Sequence, residues 1–348
     1  MQIKHITIDD IAREAGVSKS TVSRVISRPN LVKDKTRKKI LSVIEKHSYI
    51  PNVFAQGLAG LPSKTAGFIV DEFPNNFYID LAGGIDSVIT AKKYNLQVMS
   101  SLWDPEREYQ GARSMIINRT AGILIAPSSP DCKAVEFLKR SSVPFVLLNC
   151  RTDDPEISYV SCDNYFGGKL MAEYVKQLDF EQLVILPVSD HQTVQDRIDG
   201  FEDNIDRKTV RPIMSSGAKT YLDGYRITQS IVDTFALKKK KTFLFVTNDY
   251  VAIGVIVKLL ELGIAIPRQV AVAGYDDILI SGLCRIPLTT ISQSVQDMGR
   301  IAAETLLSRI QQEKTEPAKF LLKPHLVIRE STYSAANQRA ADFTPPTP

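Results

Sequence analysis

From Ala66 onward the chain alternates short apolar runs with stretches of helical period, and no other feature constrains its fold as tightly. Runs suited to buried strands begin at residues 67 (GFIVDEF), 96 (LQVMSSL), 122 (GILIAPS), 144 (PFVLLNC), 183 (LVILPV), 243 (FLFVTND) and 270 (VAVAGYDD), and helical stretches at 78–94, 164–178 and 250–262 lie among them. Strand alternating with helix is the signature of a parallel α/β architecture. The region spans about 270 residues, too many for one small doubly wound sheet, so two such halves are expected. Ligands of these sheets bind beyond the carboxyl ends of the strands. Several runs end there in polar residues: Asp71, Ser128, Asn149, Asn248 with Asp249, and Asp276 with Asp277.

The first 64 residues read differently. They hold 12 Lys+Arg against 5 Asp+Glu, a net +7, while the remainder holds 31 against 34, a net −3. A basic head on a mildly acidic body points to a nucleic-acid module joined to something else. Thr7 followed by Asp10 predicts a helix start, and Ile8, Ile11, Ala12 and Ala15 then make one apolar stripe. Gly16 supplies a left-handed stop, and Ser18 caps a second helix so soon afterwards that only a tight turn between crossing helices fits. On that second helix Val22, Val25 and Ile26 lie at about 240° to 340°, whereas Lys19, Ser20, Ser23, Arg24 and Ser27 cover about 0° to 140°. The outward face carries the donors that read guanine edges in a major groove, and Thr21 and Ser23 suit phosphate oxygens. A third helix, after Asp34 and through Ile40, Val43, Ile44 and His47, closes the core and adds Lys35, Arg37, Lys38 and Lys39 as phosphate attraction.

Composition removes several classes. Apolar residues at 44% and charged residues at 24% are ordinary globular values. No segment approaches 18 consecutive apolar residues and the charged start does not resemble a signal peptide, so a cytoplasmic protein without membrane contact is expected. The four cysteines, Cys132, Cys150, Cys162 and Cys284, have no metal or disulfide spacing and read as reduced thiols. GxGxxG, P-loop, HExxH and GxSxG motifs are missing, and His5, His47, His191 and His325 form no ligand set. Neither a metal nor a cofactor nor catalysis is expected.

The stretches TIDDIAREAGVSKSTVSRVISRP and KTRKKILSVIEKHSYIPNVFAQGLAG closely resemble the DNA-binding head and hinge of the LacI/GalR family of bacterial transcription regulators, without gaps over some 60 residues. The resemblance implies base reading by Lys19, Ser20 and Arg24, with Thr21, Ser23 and Thr36 on the DNA backbone. After Pro51 a short, nearly uncharged hinge with an interior Gly57 should fold only on the operator. There Asn52, Ala55 and Leu58 are implied minor-groove residues, Leu58 as the wedge.

The body is similar to the family's effector domain, through AGILIAPS, VPFVLLNC, VSCDN, DRIDGF, FVTNDYVAIG, VAVAGYDD, PLTTISQS and VIREST. This implies two doubly wound subdomains of the periplasmic-binding-protein kind, joined by three crossovers around a cleft. The expected organisation is a helix-turn-helix head at 1–50, a hinge at 51–65, an effector and dimerisation domain at 66–334 and a disordered tail at 335–348. Within the body, the N-subdomain takes about 66–162 and 293–320, and the C-subdomain about 163–292 and 321–334. Carried over residue by residue, Arg197, Asn248 and Asp276 form the polar core of the cleft, with Phe77 and Tyr78 on the N-subdomain wall. Ser128, Asn149 and Lys219 complete the implied effector set. Asn149 stands where an acid is common, and Lys219 where an aromatic is common. Both changes make the cleft less negative, which fits an anionic effector such as a phosphorylated or acidic sugar, or else a loop that leaves Lys219 in solvent. The implied function is a homodimer, with a tetramer also open, that binds a pseudo-palindromic operator as an effector-responsive regulator, most simply a repressor. The competing classes are a ligand-binding protein with no regulatory role and an enzyme.

Overall fold

The computed structural model describes residues 6–49, 63–72, 75–206, 210–212, 217–312 and 316–333. Residues 51–62 of the expected hinge, with Asn52, Ala55 and Leu58, and the expected tail lie outside the described residues, while Thr65 already belongs to the first strand. The chain divides into two compact units, Met1–Ser63 and Lys64–Pro348.

Among its described residues the smaller unit holds three α-helices, α1 (Ile8–Ala15), α2 (Lys19–Ser27) and α3 (Asp34–Lys46). Thr7 and Asp10 cap α1 reciprocally: the Thr7 N–H donates to the Asp10 carboxylate at 3.0 Å and the Asp10 N–H to the Thr7 hydroxyl at 3.4 Å. Gly16 ends α1 at φ +63°, a left-handed conformation that glycine adopts without a Cβ penalty. Two residues later the Ser18 hydroxyl accepts the Thr21 N–H at 3.2 Å and starts α2. Ile11, Ala15, Val22, Val25, Ile40 and Val43 are buried together, so the apolar stripes of all three helices close one core.

The larger unit runs in chain order through β1 (Thr65–Val70), α4 (Asn76–Ala91), β2 (Asn95–Ser100), α5 (Pro105–Ile117), β3 (Gly122–Ile125), α6 (Lys133–Lys139), β4 (Phe145–Leu148) and β5 (Ser158–Cys162). It continues with α7 (Asn164–Val175), β6 (Gln182–Leu186), α8 (Gln192–Glu202), β7 (Val210–Pro212), α9 (Tyr221–Thr234), β8 (Thr242–Val246), α10 (Asp249–Glu261), β9 (Val270–Ala273), β10 (Thr290–Ser292), α11 (Val295–Ile310), β11 (Lys319–Leu322) and β12 (His325–Val327). One sheet has the order β11-β5-β4-β3-β1-β2 and a second β7-β6-β8-β9, both wholly parallel. Their central strands are buried on both faces, as in β1, β3 and β8, which explains the continuous apolar runs in the sequence.

The chain crosses between the sheets three times: after β5, between the β10–β12 antiparallel pair and α11, and again after β11. The last crossing falls after Leu322, because Lys319 to Leu322 pair in parallel with Tyr159 to Cys162 of the first sheet. The sequence reading did not mark β5, β7 or β11 as strands. β11 is an edge strand with Phe320 and Leu321 exposed, and β7 is only three residues long.

Candidate functional site

In the helical unit, α2 buries Val22 and Val25 and turns Lys19, Ser20 and Arg24 to solvent. Lys19 is paired with Asp9 at 2.9 Å, but both side chains are more than half exposed. Such a pair is weak and screened, so the ammonium remains available to a stronger anion. Arg24 makes no ion pair among the described residues, and its five donors are unspent. The Ser20 and Thr21 hydroxyls lie 2.9 and 2.8 Å from that of Ser18. Ser23 and Thr36 are half-buried.

In the larger unit, a cavity of about 520 Å³ of empty space, solvent included, opens where the carboxyl ends of the two sheets face each other. The first sheet contributes Asp71 after β1, Trp103 after β2, Ala126 and Pro127 after β3, and Asn149 after β4; the second contributes Val188 after β6, Asn248 after β8 and Asp276 after β9. Phe77 and Tyr78 line it from the first turn of α4, whose cap is the Asn75 side chain accepting the Phe77 N–H at 3.0 Å. His191, Thr193 and Arg197 line it from α8. That helix lies tight against α7: a Cβ on Gly168 would stand 2.0 Å from the Arg197 carbonyl oxygen, so glycine sets the depth to which Arg197 is carried.

Arg197 is the hub. Its Nε donates to Asn164 Oδ1 at 2.9 Å and its Nη1 to the Thr247 carbonyl at 2.6 Å, with Asp276 Oδ1 at 3.4 Å and the Tyr275 ring beneath at 3.9 Å. Asp276 also accepts from Gln293 at 2.6 Å and from Asn248 at 3.2 Å. The other end of the Asn248 amide caps α10 by accepting the Val251 N–H at 2.9 Å, so this residue ties the strand end and organises the cleft at once. Burial pushes the Asp276 carboxyl up to about 6, against the opposing pull of Arg197. Asp276 sits at φ +118°, and Asn149 and Trp103 at +50° and +62°. For residues with a Cβ these conformations are strained, and such strain gathers at ligand clamps.

Two implied residues are not part of the lining itself. Ser128 does not line the cavity: its N–H and hydroxyl turn to the buried Glu108 carboxylate, at 2.8 and 3.4 Å. Lys219 is half-buried rather than free in solvent, and its Nζ stands 4.5 Å from the centre of the Trp103 ring. Sequence reasoning named Asp71 only as one of the polar strand ends, and it missed Trp103 and His191 as lining residues. Trp103 is the chain's only tryptophan, which was the available signal. His191 carried none, because its role depends on a carbonyl 64 residues away in sequence.

Three contacts join residues that follow strands of the first sheet to residues of the second half of the body. Arg151 pairs with Asp196 at 2.6 Å, His191 Nε2 lies 3.2 Å from the Pro127 carbonyl, and Lys219 covers Trp103. Since His191 Nδ1 accepts the Thr193 N–H at 3.3 Å, its Nε2 carries the proton and donates to Pro127. Burial holds the His191 pKa below its ordinary value, consistent with this neutral tautomer.

A helix-turn-helix with an unspent basic reading face, and a two-sheet body clasping a polar cavity at its strand ends, define a DNA-binding regulator that answers to a small ligand. Residues 7–52 match the bacterial regulatory proteins of the lacI family, and residues 173–332 match a periplasmic binding protein-like domain. Catabolite control protein A of Priestia megaterium is 30% identical over 345 residues, covering 94% of this chain and 99% of that protein. A lac repressor dimer bound to operator and the anti-inducer ONPF superposes with a TM-score of 0.80 at 26% identity, over 95% of this chain and 100% of that one. A LacI family regulator from Enterococcus faecalis V583 with bound ribose gives a TM-score of 0.69 at 29% identity, over 77% and 98%. The chain belongs to the lacI family of bacterial transcriptional regulators.

Proposed function

We propose that the protein is a cytoplasmic repressor that binds a pseudo-palindromic operator as a dimer and takes a sugar or sugar derivative in the cavity between the two sheets. The observation that carries this reading is the Asp276 carboxylate meeting Arg197 and accepting from the Asn248 amide at neighbouring strand ends of the second sheet, in one cavity with Phe77, Tyr78 and Trp103. A guanidinium, a carboxylate and an amide in one cavity bind neighbouring hydroxyls, and an aromatic wall suits the apolar face of a sugar ring. Lys19, Ser20 and Arg24 read bases, Thr21, Ser23 and Thr36 hold the backbone, and Asn52, Ala55 and Leu58 of the hinge enter the minor groove. Phe77, Tyr78, Asn149, Arg197, Asn248 and Asp276 contact the effector, and Lys219 borders it. The head occupies 1–50, the hinge 51–65 and the effector domain 66–334.

A dimer is favoured because one head spans too few base pairs for useful specificity. It is also favoured because Leu279, Ile280 and Leu283 stand exposed within five residues, an apolar surface that a lone subunit has no use for. No catalytic step is assigned, and among the described residues no helix is long and apolar enough to cross a membrane. Selection of bound duplexes from a random DNA pool, repeated with D-ribose and other candidate sugars, tests the reading. Recovery of a two-fold site whose retention responds to one sugar supports it; affinity equal to that for bulk genomic fragments under every condition refutes it.

A further inference from the structure

The cavity wall contains a carboxylate whose hydrogen bonding is half complete. Asp71 is 5% exposed at the end of β1 and lines the cavity. The Tyr78 hydroxyl donates to its Oδ2 at 2.7 Å, while no donor among the described residues reaches its Oδ1. Across the same wall Asn149 Oδ1 is buried and has no partner either. Buried acceptors are ordinarily satisfied, and those that are not mark a place where something else donates. The cations nearby are already engaged. Arg197 faces Asp276, and the Lys219 ammonium stands on Trp103 outside the lining, so the lining itself sets two carboxyl groups against one guanidinium and disfavours an incoming anion.

We propose that Asp71 selects the effector, accepting an O–H or N–H of a neutral or amino polyol through Oδ1 and rejecting anionic esters of the same sugars. This rests on the sugar-cleft reading above and narrows it. Burial raises the Asp71 carboxyl to about 7, with the Tyr78 hydroxyl opposing; Glu108 and Glu72 push it up and Lys219 pulls it down. Asp276, Arg197 and the neutral His191 are the other polar groups of the cavity able to titrate or carry charge. A donor on Oδ1 favours the ionised form, so binding lowers this pKa and the carboxyl proton passes to the buffer. Affinity therefore falls as pH drops below about 7, by up to about tenfold per pH unit.

Trp103 lines the cavity and is the only tryptophan, so its fluorescence reports occupancy of the full-length protein. The probes are D-ribose, D-glucose and D-glucosamine, with ribose 5-phosphate and glucose 6-phosphate as their anionic counterparts. The expected result is binding of an unphosphorylated sugar, weaker at about pH 6 than at about pH 8, with the slope abolished in Asp71→Asn. Calorimetry of the unaltered protein in two buffers of different ionisation enthalpy should also show proton release, a readout independent of how the variant folds. Tighter binding of the phosphate esters, an unchanged slope in Asp71→Asn, absence of proton release, or no binding of any unphosphorylated sugar overturns the proposal. Arg197→Ala separates the two levels. If it abolishes binding while Asp71→Asn alters nothing, the cleft stands and the role of Asp71 falls; if neither variant affects a bound sugar, the cleft reading itself fails.

Discussion

Breaking the Arg151–Asp196 pair should loosen the closed cleft, and the structure sets the size of the effect. The two side chains meet at 2.6 Å, with Arg151 40% exposed and Asp196 10% exposed. Solvent at the arginine screens the attraction, so the pair itself is worth about 1 kcal/mol. Arg151→Met also leaves Asp196 nearly buried with only Gln192 donating to it, at 2.7 Å. A buried charged acceptor that loses a partner costs about 1 to 3 kcal/mol. That penalty falls on the closed arrangement alone, because separating the sheets returns Asp196 to water. We expect a net shift towards the open form of about 1 to 2 kcal/mol, roughly 5- to 30-fold in population. The assay is Trp103 emission with and without added salt: the variant should shift to the red, and the unaltered protein should move the same way as salt rises. A cycle with Asp196→Asn should recover about 1 kcal/mol of coupling. Identical emission and salt response in Arg151→Met and the unaltered protein would refute the idea that this pair holds the cleft.

Three further outcomes follow from the same geometry. Arg24→Ala should weaken the best duplex by about 1 to 3 kcal/mol and relax preference at one position per half-site; an equal loss on random DNA would reassign Arg24 to phosphates. Thr7→Ala removes one half of the α1 capping box and should destabilise the head by about 1 kcal/mol, read by thermal unfolding of the helical signal. A folded-state carboxyl raised to about 7 binds a proton that the unfolded chain has released, so ligand-free stability falls as pH rises from about 4 to 7. Asp71→Asn should remove up to about 4 kcal/mol of that decline, and parallel stability-versus-pH curves for the two proteins would contradict the burial of Asp71.

The elements that were legible in the sequence are those whose signal is local. Buried parallel strands such as Phe68 to Val70 and Leu244 to Val246 announce themselves as apolar runs, and the Thr7–Asp10 and Gly16 signals fix α1 by interactions within one turn. β11 escapes because half of its surface faces water, as Phe320 and Leu321 show, whereas the edge strands β2 and β9 were legible as apolar runs. The cleft divides in the same way. Arg197, Asn248 and Asp276 could be placed through resemblance, yet nothing local to Asp276 predicts that Gln293, Asn248 and Arg197 all converge on its carboxylate. Asp71 and Asp276 both end apolar strands, and by position alone they are equivalent. The difference lies in their partners. Asp276 is surrounded by donors and spends both oxygens inside the protein, whereas Asp71 receives one hydroxyl and keeps an oxygen for the cavity. A residue's availability to a ligand is set by what its neighbours leave unbonded, and that becomes visible only when residues 71, 78 and 149 stand around one space.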